Sequence, residues 1–237
     1  ALTVVTGAGE TRLVTDGQWR CGPESPGWES TDFDDSAWAK PVEIGAMGAA
    51  PWGGIRVDAL SGWGQEQSSP LFRKTVELGA KLRRATATIC GLGYYELRMN
   101  GEKIGDHVLD PMFTRYDKRA LYVTYDVTRS LHRGQNAIGV MLGNGFYNQH
   151  ARDAWDFERA PWRAQPALRM QLRLEFADGT TRTVGTDETW RANTGPVVLD
   201  GIRNGEFYDA RREWPGWDRA YFDDSEWPAA ELVDGPK

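Results

Sequence analysis

The stretch GNGFYNQHARDAWDFERAPWR, Gly143 to Arg163, concentrates side chains suited to holding a carbohydrate. Aromatic rings stack on the apolar C–H face of a pyranose, and planar amide, carboxylate or guanidinium groups pair with adjacent hydroxyls. Asn144, Asn148, His150, Asp153, Trp155, Trp162 and Arg163 supply both kinds of group, with Gln149, Arg152 and Asp156 beside them. The segment follows an apolar run, so it reads as a long loop leaving a core strand, where binding groups commonly sit. The plainer alternative is that Trp155 and Trp162 pin a long connection onto the body of the fold.

A second cluster, NGEFYDAR (Asn204–Arg211), alternates polar and aromatic positions. For Glu206, Tyr208, Asp209 and Arg211 the family resemblance given below implies a contact with a neighbouring domain rather than direct sugar binding. An edge strand carrying surface ion pairs, each worth little, is the alternative. Carboxylates also raise the question of glycoside hydrolysis, which needs two carboxyl groups about 5–10 Å apart across a sugar ring. Asp153, Asp156, Glu158, Glu206 and Asp209 are candidates by type, but spacing in the chain does not supply that distance. His107, His132 and His150 fall in no triad or metal pattern, and no nucleophile elbow or phosphate-cradling loop occurs. The chain is therefore read as non-catalytic on its own.

Composition narrows the partners. A net charge of −6, with both signs mixed along the chain, argues against a nucleic-acid or anionic-membrane partner, which would need a concentrated basic face. No apolar run reaches the roughly 18 residues of a membrane helix. The chain starts without methionine, which leaves room for a removed leader and favours a secreted or periplasmic location over a cytoplasmic one. Cys21 and Cys90 either pair in an oxidising compartment or, the preferred reading, are two buried free thiols.

The elements that must position these groups are strands. Pro70–Leu78 and Ala85–Gly101 alternate apolar and polar residues, and Asn136–Gly145 is apolar enough for a central strand buried on both faces. Pro166–Asp187 reads as a hairpin turning at Ala177-Asp178-Gly179, and Asn100-Gly101 marks another tight turn. Helical pattern is scarce; the best stretch is a single turn near Thr128, opened by Asp126 or Thr128 and closed at Gly134. The fold class that follows is all-β, an antiparallel jelly-roll-like sandwich with short flanking β segments.

One phrase occurs near both ends: GWESTDFDDSAW from Gly27 and GWDRAYFDDSEW from Gly216. Each is preceded by a strand-like stretch ending in Trp19 or Trp190. The Phe-Asp-Asp-Ser runs read as tight turns whose Asp and Ser groups bond backbone N–H while Phe and Trp pack inward. This repeat sets the expected organisation: residues 1–69 a β segment and linker, 70–212 the sandwich, and 213–237 the start of a following unit.

Tyr95–Thr128 (YELRMNGEKIGDHVLDPMFTRYDKRALYVTYDVT), Leu142–Leu168 and Asn204–Trp227 together resemble, in order, the N-terminal sugar-binding region of bacterial α-L-rhamnosidases of glycoside hydrolase family 78. The FDDSxW element alone is shared with family 2 β-glycosidases, so an accessory domain of such an enzyme is the second reading. The resemblance implies a multidomain exo-glycosidase whose catalytic carboxylates lie in an (α/α)6 barrel, for which this chain has neither the helices nor the length. It implies an L-rhamnose-containing glycan and the catalytic (α/α)6 domain as partners, with a sugar-binding or bracing role for this chain. It also raises calcium as a cofactor. Metal-containing members place an Asp-Asn pair where this chain has Asp106-His107, and histidine is a poor calcium ligand. Asp106, Asn144 and Asn148 are the ligands that would remain.

Overall fold

The computed structural model describes residues 2–6, 9–45, 49, 68–150 and 155–235. The chain forms two compact units, Ala1–Gly62 and Trp63–Lys237. Asp153 and Arg152 of the loop lie outside the described residues.

The first unit opens with an antiparallel pair, β1 (Leu2–Thr6) and β2 (Gly9–Leu13). The second is the all-β antiparallel sandwich expected from the pattern. One sheet has four strands in the order β10 (Thr181–Gly185), β9 (Ala167–Phe176), β4 (Leu82–Leu92), β7 (Val123–Asp126). The facing sheet has five: β11 (Arg191–Thr194), β3 (Pro70–Leu78), β8 (Gly134–Gly143), β5 (Tyr94–Met99) and β6 (Glu102–Lys103). A separate ribbon pairs β12 (Val197–Gly201) with β13 (Gly205–Tyr208). Period-two alternation puts Ala85, Ala87 and Ile89 of β4 and Met170, Leu172 and Leu174 of β9 against Val76, Leu97, Ile138 and Val140 of the other sheet. Each fully buried Leu, Ile or Val contributes roughly 1.5–3 kcal/mol through removal from water.

Ala85–Gly101 is not one strand. The chain leaves the four-stranded sheet after Leu92 and enters the five-stranded sheet at Tyr94. Gly93 makes the crossing at φ 104°, where a Cβ would stand 2.0 Å from the Gly143 carbonyl oxygen. Only glycine fits both constraints, and the alternation continues across the break, which is why pattern alone fuses the two strands. Asn100 (φ 53°) and Gly101 (φ 91°) form the expected two-residue hairpin between β5 and β6. The short helical turn is a 3-10 turn, Thr128–Ser130, with Asp126 accepting from the Thr128 N–H at 3.0 Å.

The two copies of the repeated phrase fold alike. In each, an indole N–H reaches back five residues to a carbonyl, Trp19 to Val14 at 2.7 Å and Trp190 to Gly185 at 2.9 Å. Gly27 and Gly216 both take φ 77°. Asp34 and Asp223 each accept from the Ser two residues on at 3.0 Å. What differs is the cover. Trp38 is half-buried, whereas Trp227 is 1% exposed.

Residues 213–235, read from sequence as the opening of a further unit, lie against the outer face of the five-stranded sheet. Register aligns Arg73 of β3, Gly139 of β8 and Arg98 of β5 in one row across three strands. The Arg73 guanidinium, with its side chain 1% exposed, donates to the carbonyls of Trp217 (2.9 Å) and Arg219 (3.0 Å) and pairs with Asp224. Arg98 pairs with Asp218 at 2.6 Å. Trp217 covers Gly139 so closely that a Cβ there would meet its ring at 2.7 Å. The apolar central strand β8 is thus buried on one face by the core and on the other by this tail.

Cys21 is exposed and Cys90 half-buried, both as free thiols. The expectation that both are buried fails at Cys21, which sits in an isolated surface bridge to Ala39. Burial pushes the Cys90 thiol above its ordinary range.

Candidate functional site

The loop after β8 is anchored from beneath by aromatic rings. Tyr116, Tyr147 and Trp162 are buried with Leu92, and Phe113, Phe146 and Phe157 pack around them. Ring centroids stand 5.0–6.5 Å apart, mostly edge-on, the arrangement favoured by ring quadrupoles. Trp162 is only 8% exposed. Within this cluster it packs the connection against the body of the fold.

Asn144 and Asn148 are likewise turned inward. The Asn144 backbone N–H and side-chain amide both donate to the Asp200 carboxylate at 2.8 Å. Asn148 donates to Asn144 Oδ1 at 2.7 Å, and the Ser69 hydroxyl closes the set on Asp200 at 2.9 Å. Buried polar groups need such partners, and these amides spend their hydrogen bonds fastening the loop to β12. Asp200 is the residue that pattern reading misses; it stands alone in an apolar strand, VVLDG, with no motif around it.

Trp155, His150 and Arg163 remain at the surface. Trp155 is 61% exposed, stacked on Phe157 at 6.3 Å, with the Arg203 guanidinium 4.7 Å over its ring. Arg163 Nη2 lies 2.5 Å from His150 Nδ1. A guanidinium can only donate, so Nδ1 accepts and the imidazole proton sits on Nε2. Burial, and then the neighbouring Arg163 charge, hold the His150 pKa below the usual histidine range against the opposing pull of Asp200. His150 and Arg163 line an open polar depression of about 340 Å³ together with Asn148, Glu158, Arg159 and Gln165.

The second cluster stands on the ribbon. Glu206, Phe207 and Tyr208 of β13 are all exposed. The Tyr208 hydroxyl donates to Glu213 at 2.5 Å, a bond that raises its pKa. Arg211 grips Asp209 through two bonds of 2.8 Å, and this hydrogen-bonded pairing lowers the Asp209 pKa to about 2. Phe207 and Trp214, 42% and 37% exposed, add apolar surface that the sequence reading did not single out.

A family profile, the Alpha-L-rhamnosidase N-terminal domain, matches residues 80–237. The chain belongs to this family. An α-L-rhamnosidase of Streptomyces avermitilis is 37% identical over 235 residues, 98% of this chain and 22% of that protein. One from Formosa agariphila is 45% identical over 164 residues, covering 68% of this chain and 17% of its own length. The chain thus spans about a fifth of the curated relatives it matches. Among solved structures, the S. avermitilis enzyme, determined with L-rhamnose bound, shares 34% identity and a TM-score of 0.68 over 98% of this chain and 22% of that one. That of Aspergillus terreus gives 33% and 0.68 over 73% of this chain and 20% of its own.

In this rhamnosidase N-terminal domain the three residues raised from sequence as calcium ligands have different surroundings. Asp106 is exposed on the loop after β6, whereas Asn144 and Asn148 are committed to Asp200 and to each other. Among the described residues, no three His, Cys, Asp or Glu side chains group as metal ligands. Beside Asp106, His107 is held by Asp110 at 2.5 Å, and Asp110 also accepts from Tyr125 at 3.4 Å. The candidate catalytic carboxylates are dispersed as well. Glu158 lines the polar depression beside Arg159, Asp209 is paired with Arg211, and Glu206 projects from the ribbon.

Proposed function

We propose that this domain is a non-catalytic brace of an α-L-rhamnosidase, in which terminal α-L-rhamnose is hydrolysed by a separate (α/α)6 domain. The observation that carries the reading is the direction of the side chains. Asn144, Asn148 and Trp162 are spent on holding the loop, while the ribbon they fasten exposes Glu206, Phe207 and Tyr208 beside the Asp209–Arg211 pair. A rigid, aromatic and charged edge of this kind suits a neighbouring domain better than a hydroxyl-lined sugar pocket. Glu206, Tyr208, Asp209 and Arg211 are the residues assigned to that contact.

Exposed Trp155, beside the His150–Arg163 pair, favours direct carbohydrate contact as a second reading. The two readings separate in one experiment on the full-length enzyme. Phe207→Ser together with Tyr208→Ser leaves the fold of the isolated 237-residue chain unchanged and lowers the unfolding temperature and activity of the whole enzyme. Trp155→Ala weakens sugar binding only. Equal behaviour of the ribbon variant and the wild type in the full enzyme contradicts the bracing role.

A further inference from the structure

We propose that the loop between β6 and β7 presents Val108, Leu109 and Met112 as a docking surface for an apolar patch on the neighbouring domain of the parent enzyme. The identity of that partner rests on the bracing reading; the existence of the surface does not. The three side chains are between 61% and 75% exposed. They do not belong to a loose stretch of chain. The Asp110 carbonyl accepts from the Tyr95 N–H at 3.0 Å, and its carboxylate pairs with His107 and accepts from the Tyr125 hydroxyl. Ile104, Pro111 and Tyr116 of the same loop are buried, and Phe113 packs on Phe146 at 5.0 Å. The loop thus has a core to pack against, and Val108, Leu109 and Met112 are turned away from it.

Backbone conformation singles out Leu109. Among the described residues, three non-glycine positions take positive φ: Asn100, Asp156 and Leu109, the last at 58°. Asn and Asp tolerate that region, whereas a leucine there crowds its Cβ against a backbone carbonyl. Leu109 therefore breaks two local rules at once, with a strained backbone beneath an aliphatic side chain left in water. Such conflicts persist where the surroundings over-determine them, and they gather at functional sites. Area decides the occupant. The three side chains offer on the order of 200–300 Å² of apolar surface, far below the roughly 800 Å² per partner that a stable complex of separate proteins buries. A neighbour on the same polypeptide needs less, because tethering raises its effective concentration. The S. avermitilis relative, which matches 98% of this chain, carries the matched region as only 22% of its length. Position agrees with one neighbour for loop and ribbon. Asp110 meets Tyr95 at the start of β5; Tyr94 beside it registers with Gly143 at the end of β8, and the adjacent Asn144 holds the ribbon through Asp200.

The test compares the 237-residue chain with the full-length enzyme containing it. Hydrogen peroxide converts exposed methionine to its sulfoxide, and peptide mass spectrometry reads the rate at each site. Met112 is expected to oxidise readily in the chain alone and at least about tenfold more slowly in the full-length enzyme. Buried Met99 stays slow in both and serves as the control. Equal Met112 rates overturn the proposal. Slow oxidation of Met112 in the chain alone also overturns it: dependence on protein concentration then assigns the surface to a second copy, and independence to the chain itself. Leu109→Asn suits the backbone and removes the apolar side chain. It is expected to leave the unfolding temperature of the chain unchanged or raised, and to lower that of the full-length enzyme by at least about 2 °C. A lowered value in the chain alone shows that Leu109 serves the domain itself, and overturns the proposal. Phe207→Ser with Tyr208→Ser, measured alongside, separates the two readings. If that ribbon variant destabilises the full-length enzyme and Leu109→Asn does not, the loop surface fails and the brace stands. The reverse result keeps the loop surface and removes the ribbon from the contact.

Discussion

Removing the carboxylate of Asp224 tests how the second repeat is fastened. Arg73 is a cation inside the sheet layer with a side chain 1% exposed, while Asp224 is 27% exposed. Its charge is met by one carboxylate, two backbone carbonyls and the face of Phe222, 5.2 Å away. Breaking a buried pair by deleting one partner costs about 3–5 kcal/mol, because the survivor is left charged and unpaired. The two carbonyls stay in place, so Asp224→Ala belongs at the lower end, about 3 kcal/mol. For a domain of this size that lowers Tm by about 6–12 °C. Arg73→Met removes the buried charge itself. The double variant Arg73→Met/Asp224→Ala is therefore expected to be more stable than Asp224→Ala alone, with a coupling of about 1–3 kcal/mol. Urea unfolding followed by circular dichroism and tryptophan fluorescence gives all corners of the cycle. The counterpart Asp35→Ala in the first repeat is an exposed site that forms no ion pair among the described residues, and it shifts stability by no more than about 0.5 kcal/mol. A strictly additive cycle, or an Asp224→Ala protein within about 0.5 kcal/mol of wild type, refutes the reasoning.

Asp200→Ala strips three donors of their acceptor, Asn144 twice and Ser69 once, and is expected to cost about 1–3 kcal/mol and to speed amide exchange at Asn144 and Asn148. Trp162→Ala, emptying the aromatic cluster, is expected to cost about 3–5 kcal/mol in chemical denaturation, whereas exposed Trp155→Ala stays within about 1 kcal/mol. The Asp209 carboxylate is expected to titrate by NMR with a midpoint of about 2. Because its folded pKa lies below the unfolded value of about 3.9, its pairing with Arg211 stabilises above that value and is lost as pH falls through the folded midpoint. Arg211→Gln should raise the midpoint; an unchanged midpoint would show that the pair does not set it.

The strands of the sandwich were legible because burial on one face writes itself as period two, and the Asp-Gly and Asn-Gly turns because few residues tolerate positive φ. The crossing at Gly93 was not, since its cause is a carbonyl of Gly143 brought close only by folding. The loop's chemistry was visible as residue types but not as directions. An asparagine facing Asp200 and one facing a sugar look identical in the chain, and a tryptophan under a loop looks like one on top of it. Arg73 gave no signal either. In an alternating strand it reads as a solvated outer position, and only the tail laid over Gly139 makes it a buried anchor. The repeat marked the two turns correctly without revealing that the second is clamped onto the sheet.

Activity against an aryl α-L-rhamnoside separates the account from its rival most directly. The purified 237-residue chain is expected to release no p-nitrophenol above the no-protein rate, while the full-length enzyme containing it turns over. Turnover by the chain alone, in proportion to its concentration and lost on changing Glu158 or Glu206, would contradict a non-catalytic brace.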